Sequence, residues 1–126
     1  MTSLKTIPIA AATITLLLAG VVQAAGDAKQ GAQVFRRCLI CHTLAAGQPS
    51  RVGPNLHGLF DRPAGKAPGY TYSPALAKVD YKWDDDKLDK WLENPQGVVP
   101  GTRMFFKLSN AQERADVIAY LHEATK

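Results

Sequence analysis

Two cysteines and a histidine stand close together in the segment Cys38-Leu39-Ile40-Cys41-His42, and the 126-residue chain has no other cysteine. Side chains three and four positions apart lie on the same face of a helix, so we expect all three groups to point the same way. Two thiols placed in this way can add to the two vinyl groups of one haem, and the adjacent imidazole can bind its iron. The spacing predicts one covalent haem c attached through Cys38 and Cys41, with His42 as an iron ligand.

Cysteines at this spacing can also serve other chemistry. The two thiols could form a disulfide in an oxidising compartment, or act as a thioredoxin-like redox pair. A redox pair of that kind is expected between a strand and a helix, whereas the sequence on either side reads as helix and loop. A zinc site would need more soft ligands than His57 and His122 supply at ligand spacing. Haem attachment is therefore the favoured interpretation.

The sixth ligand decides what a haem protein can do, and in proteins it is Met, His, Cys or Tyr. Both cysteines are used, and Met1 would leave with the amino-terminal segment. Met104 lies in a loop between two predicted helices and is favoured, although a thioether there could also fill a gap in the core. His57, His122 and the tyrosines remain open, with a surface role favoured for His122 near the end of a helix.

The amino-terminal segment predicts export. Lys5 gives it a positive start, residues 7–22 are largely apolar and uncharged, and small residues follow. We expect residues 1–25 to be a signal peptide cleaved after Ala24 or Ala25, because a membrane anchor needs about 20 apolar residues. Removing Lys5 lowers the formal net charge from +4 to +3. The remaining domain, residues 26–126, would lie outside the cytoplasm, in the periplasm of a bacterium.

Composition limits the kind of protein this can be. About a hundred residues support one domain with a small core, which a haem would help to fill. Charged residues make up 21% and hydrophobic residues 46%, as in ordinary globular proteins. The longest run of basic residues is Arg36-Arg37, so the sequence shows no nucleic-acid footprint. The mild positive charge suits docking on an acidic patch of another protein.

The pattern of apolar residues predicts an all-α protein. No alternation of period two is present, and Gly/Pro-rich loops over 43–69 and 96–108 separate the helical segments. Gly31 would lie inside the first helix, where glycine is disfavoured unless two helices cross closely there. Helices are predicted over 27–40, 73–79, 84–94 and from 109 or 110 to 126.

Residues 26–126 resemble the class I c-type cytochromes, of the mitochondrial cytochrome c and bacterial cytochrome c2 type. The attachment motif alone is shared by many haem proteins, but the ordered set of matching segments is specific. The resemblance implies the small cytochrome c fold, in which four to five helices and long loops wrap around one covalent haem. The matching segments are Gly31 with Phe35, 38–42, 52–60, 67–73, Trp83, 91–95, 100–106 and 114–121, the last of which contains Tyr120 at the crossing of the first and last helices.

The resemblance also implies roles for single residues. Met104 is the ligand opposite His42, and the Pro54 carbonyl accepts a hydrogen bond from the other ring nitrogen of that histidine. Tyr72 and Trp83 donate hydrogen bonds to a buried haem propionate.

Further implied roles concern the surroundings of the haem. Arg62 is the charge partner of the propionate, His57 braces its loop, and Phe106 covers the haem edge. Two positions depart from the family: Trp91 stands where tyrosine is usual, and Leu76 where asparagine is common. Both changes make the pocket drier, and we expect them to shift the reduction potential.

The function implied is a soluble, monomeric, single-haem electron carrier without catalytic activity of its own. It would pass one electron between a reductase or dehydrogenase and an oxidase or reaction centre, by transient contact with partners that have acidic docking patches. Arg36, Lys66, Arg103 and Lys107 are the candidate docking residues. A haem peroxidase and a haem-based ligand sensor are the alternatives, and both need an open position on the iron.

Overall fold

The structure is a computed structural model in which residues 24–126 are described, and the predicted signal peptide lies outside them apart from its last two residues. The described residues form helices and loops with no strand, and they contain one isolated β-bridge between Pro63 and Lys82. The prediction of an all-α fold with four to five helices is therefore confirmed. The helices are α1 (Ala28–Phe35), α2 (Pro74–Ala77), α3 (Asp85–Glu93), α4 (Pro95–Val98) and α5 (Ala111–Ala124).

Four of the helices begin at a polar side chain that caps them. Asp27, Ser73, Asp84 and Asn110 each accept a hydrogen bond from the backbone N–H three residues further along. Such caps satisfy N–H groups that have no partner inside the helix. Pro74 follows its cap at the first helical position, where its missing N–H costs nothing. These starts are the ones that the sequence predicted, with Asn110 rather than Ser109 at the last helix.

The helix ends and one short helix differ from prediction. The first α-helix was expected to reach residue 40 but ends at Phe35, after which three successive N–H groups bond carbonyls three residues back. The cysteines therefore lie in tight turns, where the chain is wound more closely than in an α-helix. The short α4 was missed inside a stretch predicted as loop. Its first residue is Pro95, whose fixed φ angle suits the start of a helix.

The crossing of α1 and α5 forms one side of the molecule. A Cβ atom on Gly31 would lie 1.9 Å from the backbone oxygen of Asp116, so only glycine allows the two helices to approach this closely. Next to it, the rings of Phe35 and Tyr120 lie 5.4 Å apart between centroids. Phe35 is 2% exposed and Val117 1% exposed. The close crossing predicted at Gly31 is present, and its buried side chains face the centre of the molecule.

The long loop between α1 and α2 is tied to the rest of the chain by backbone hydrogen bonds. Gly58 N donates to Thr125 O at 2.6 Å, and Ala64 N donates to Tyr81 O at 2.8 Å. Gly65 follows with a φ angle of 70°, and a Cβ atom there would meet Leu76 O at 2.3 Å. These two bonds hold the loop against the end of α5 and against the segment between α2 and α3. Within residues 24–126, no helix has the length and apolar composition needed to cross a bilayer.

Candidate haem site

One cavity opens between the α1–α5 crossing, α3 and the two long loops. Its wall is mostly apolar, with contributions from Phe35, Leu59, Leu88 and Val117. The structure places on this wall all eight residues that the sequence nominated for haem binding, although they come from five separate parts of the chain. They are Cys38, Cys41, His42, Pro54, Arg62, Tyr72, Trp83 and Met104.

The two cysteines are half-buried free thiols. Burial raises the pKa of the Cys38 thiol to about 11, and the positive charge of Arg37 acts in the opposite direction without cancelling this. A thiol used as a redox nucleophile needs a lowered pKa, so this environment does not favour the thioredoxin-like alternative. Among residues 24–126, no group of three or more His, Cys, Asp or Glu side chains is placed to hold a metal ion.

The ring of His42 is held by one hydrogen bond and one close contact. Its Nδ1 atom lies 2.8 Å from the Pro54 carbonyl oxygen, which can only accept, so Nδ1 carries the hydrogen and Nε2 keeps its lone pair. A Cβ atom on Gly53 would lie 2.4 Å from Cε1 of the ring, so the backbone there forms a cradle that only glycine permits. Burial lowers the pKa of His42, and the bond to Pro54 opposes this. The neutral imidazole is therefore ready to bind a metal through Nε2.

Met104 reaches the same cavity from the loop between α4 and α5. Its side chain is partly buried against the core, and the loop returns to the helical part where Leu108 N donates to Leu92 O at 2.7 Å. Phe106, which is 37% exposed, lies on the wall close by in sequence. The structure thus brings a thioether and an imidazole, 62 residues apart in sequence, to one cavity.

The other candidates for the sixth ligand have different surroundings. The ring of His57 is exposed, and its backbone N–H donates to the Asn55 side chain at 2.8 Å. His122 stacks on Phe60 with ring centroids 3.8 Å apart, and its Nε2 lies 2.6 Å from a carboxylate oxygen of α3. Both histidines belong to the outer surface and neither lines the cavity. Tyr70 lies on the wall, but its hydroxyl donates to a backbone carbonyl at 2.8 Å.

Three polar side chains line the cavity and could receive a charged group of a ligand. The Tyr72 hydroxyl accepts from Ala67 N at 3.1 Å, so its own hydrogen is left to donate. Trp83 is buried and offers an indole N–H. The Arg62 guanidinium donates to Asn55 O at 2.8 Å and holds the neighbouring loop in place. A buried carboxylate needs donors and a positive charge of this kind.

The positions that depart from the family pattern make the wall apolar. Leu76 and Trp91 are both buried and both line the cavity. The rings of Trp91 and Trp83 lie 5.2 Å apart between centroids, so the two indoles pack as one aromatic surface. Both positions therefore present apolar side chains to the cavity, and the drier pocket stays a prediction.

Sequence reasoning missed two side chains that hold the segment between α4 and α5, which carries Met104. Arg114 is 6% exposed, and its guanidinium donates to Asp89 at 2.7 Å and to Leu108 O and Ser109 O at 2.9 Å each. Its position, one turn before the apolar residues of α5, is the sequence signal that could have predicted a buried cation there. Gln96 donates to two carbonyls of the methionine loop. No sequence pattern marks Gln96, because both acceptors are backbone atoms.

These residues fit a haem well: two thiols, an imidazole with a free Nε2, a thioether, apolar walls and three polar side chains. A helical shell with these groups facing one cavity defines a protein that holds haem of the c type.

Comparison with known proteins places the chain more closely. Residues 28–125 match the family model described as cytochrome c. It is 47% identical to "Cytochrome c" of Kluyveromyces lactis over 103 residues, which cover 80% of the chain and 94% of that relative. It is 48% identical to "Cytochrome c" of Arabidopsis thaliana over 103 residues, which cover 80% of the chain and 92% of that relative. It is also 44% identical over 119 residues to "Cytochrome c2" of Rhodomicrobium vannielii, covering 94% of the chain and 95% of that relative.

The chain belongs to the cytochrome c family. The predicted family, its fold and its single covalent haem c are confirmed. A member of this family is an electron carrier and not an enzyme, as the sequence predicted.

Proposed function

We propose that this protein shuttles single electrons between a reductase or dehydrogenase and an oxidase or reaction centre, through a haem attached at Cys38 and Cys41 and ligated by His42 and Met104. The observation that supports it is that His42, with its Nε2 lone pair free, and Met104 lie on the wall of one cavity. The haem supplies reversible one-electron chemistry at its iron, and methionine ligation raises its reduction potential.

Each residue of the site has a separate task. The Pro54 carbonyl holds His42 in the tautomer that binds through Nε2 and makes the imidazole a stronger donor. Gly53 leaves room for the ring. Met104 occupies the remaining position, and this argues against a peroxidase or a ligand sensor, both of which need that position open. Held by both His42 and Met104, the iron would change little in geometry when an electron is gained or lost.

Tyr72, Trp83 and Arg62 are proposed to receive a haem propionate. The free hydrogen of the Tyr72 hydroxyl and the indole N–H are donors, and the guanidinium supplies positive charge at the same cavity wall. Without such partners, bringing a carboxylate into the protein would be costly. These residues therefore orient the group and compensate for its burial.

The test of the ligand pair uses the absorption band in the red that methionine-ligated ferric haem shows. Met104→Ala is expected to abolish the band and to make the protein bind carbon monoxide, whereas His57→Ala is the control that leaves both unchanged. Ready binding of peroxide or carbon monoxide by the unaltered protein, or survival of the band in Met104→Ala, would favour the alternatives.

The partners are proposed to carry acidic docking patches. Arg36, Lys66, Arg103 and Lys107 are exposed, and Arg103 lies on the cavity wall itself. Encounters steered by such charges slow down as salt is added. We expect the rate of electron transfer to a redox partner to fall with ionic strength, and to fall less steeply in Lys107→Gln. A rate independent of salt would refute acidic docking.

We further propose that the mature protein is a periplasmic monomer, made by cleavage after Ala24 or Ala25. The match to the Rhodomicrobium cytochrome c2 covers 119 residues, more than the 103 described from residue 24 onward, so it extends into the leading segment. Mass spectrometry of the haem protein from the periplasmic fraction should find a chain that starts at residue 25 or 26. Recovery of an uncleaved chain from membranes would contradict this, and gel filtration tests the monomer.

A further inference from the structure

The loop that carries Met104 is bridged by one side chain of α4. The Nε2 atom of Gln96 lies 2.6 Å from Thr102 O and 3.2 Å from Met104 O. A primary amide has two N–H hydrogens, so each carbonyl can receive one of them. Gln96 thus uses both of its N–H donors, one on the carbonyl of Thr102 and one on the carbonyl of Met104.

The base of this bridge is firmly held. Pro95, the first residue of α4, is fully buried, and Val99 N donates back to Pro95 O at 2.9 Å. The chain then reverses through Gly101, whose φ angle of 92° suits glycine. The reversal returns residues 102–104 to α4, where Gln96 joins the two arms.

We propose that Gln96 is a positioning residue that keeps Met104 on the iron. This rests on the proposed ligation by Met104. The carbonyl that Gln96 binds belongs to Met104 itself, only one bond from the Cα atom that bears the ligating side chain. Holding this backbone reduces the freedom of the thioether to leave, and a ligand that competes for the iron must overcome that restraint.

Exogenous imidazole is the probe, since it competes with the thioether for the iron of the intact haem protein. The titration follows loss of the red band. Gln96→Ala removes both donors, and Gln96→Glu places a carboxylate against two carbonyl oxygens; each is expected to bind imidazole about tenfold more tightly than the unaltered protein. Gln96→Arg, which offers N–H donors but cannot ligate iron, is expected to restore part of the difference.

Gln112→Ala is the matched control. Its Nε2 atom donates to a carboxylate oxygen of Asp116 at 2.9 Å, at the α1–α5 crossing and away from the methionine loop. It should lower the stability without changing the affinity for imidazole. Equal affinities of Gln96→Ala and the unaltered protein, or an equal increase in Gln112→Ala, would overturn the role of Gln96. If Met104→Ala keeps the red band, the proposed ligation itself has failed, and the role of Gln96 fails with it.

Discussion

Replacing Gly53 by alanine tests how the His42 ring is held. An added Cβ atom would lie 2.4 Å from Cε1, 2.8 Å from Nδ1 and 2.9 Å from Nε2 of the ring, well inside ordinary contact distance. The ring has to move by about 1 Å to restore contacts of about 3.5 Å. A movement of this size breaks the 2.8 Å hydrogen bond to Pro54, because hydrogen bonds to oxygen end near 3.2 Å.

The expected cost combines overpacking with the loss of that hydrogen bond. Together they should lower the free energy of unfolding of the haem protein by about 2–4 kcal/mol. Unfolding in urea, followed by tryptophan fluorescence, measures the change. The displaced ring should also weaken ligation by His42, so the haem absorption spectrum is expected to change before the protein unfolds.

Gly47→Ala is the control for the glycine-to-alanine exchange itself. A Cβ atom on Gly47 meets nothing within 4 Å, although its φ angle of 76° disfavours alanine. It should cost about 1 kcal/mol from the backbone alone and leave the haem spectrum unchanged. If Gly53→Ala were as stable as the unaltered protein and had the same spectrum, the contact between Gly53 and the His42 ring would be refuted.

Three more predictions address other parts of the molecule. Arg114→Met should lower the free energy of unfolding, measured in urea, by roughly 2–4 kcal/mol. The reason is that two carbonyl oxygens and a carboxylate lose their buried donor. A loss below the precision of the measurement would show that the guanidinium contributes nothing to stability. Leu76→Asn and Trp91→Tyr place polar groups beside the haem, and redox titration should find changed potentials in both; unchanged potentials would contradict the effect of a drier pocket. Hydrogen bonds from Lys87 hold the pKa of Asp84 below its ordinary value of 3.8. The ionised Asp84 therefore stabilises the fold at pH values above 3.8, and this stabilisation is lost as the pH falls through the lower pKa of the folded state. We expect the unaltered protein and Asp84→Asn to differ in urea midpoint by a constant amount near neutral pH. The difference should shrink as the pH falls below 3.8.

Much of the fold could be predicted because its signals are local. A cap and the N–H that it binds are three residues apart, so Ser73, Asp84 and Asn110 could be recognised from the sequence alone. The end of α1 could not, since apolar spacing continues past Phe35 while the backbone tightens into turns. The short α4 was hidden for a similar reason: its Gly and Pro residues are as typical of a loop as of one helical turn.

For the site, the sequence by itself determined which chemical groups are available: two thiols at attachment spacing, an adjacent imidazole, and one methionine after residue 1. Only the tertiary structure decided which groups meet. It brought Met104 to the cavity and left His57 and His122 on the surface, although all three side chains can bind iron. It also placed Gln96 under the methionine loop. The chemistry of a side chain is a property of one residue. Whether that side chain reaches the cavity or the surface depends on segments that pack against it from far along the chain.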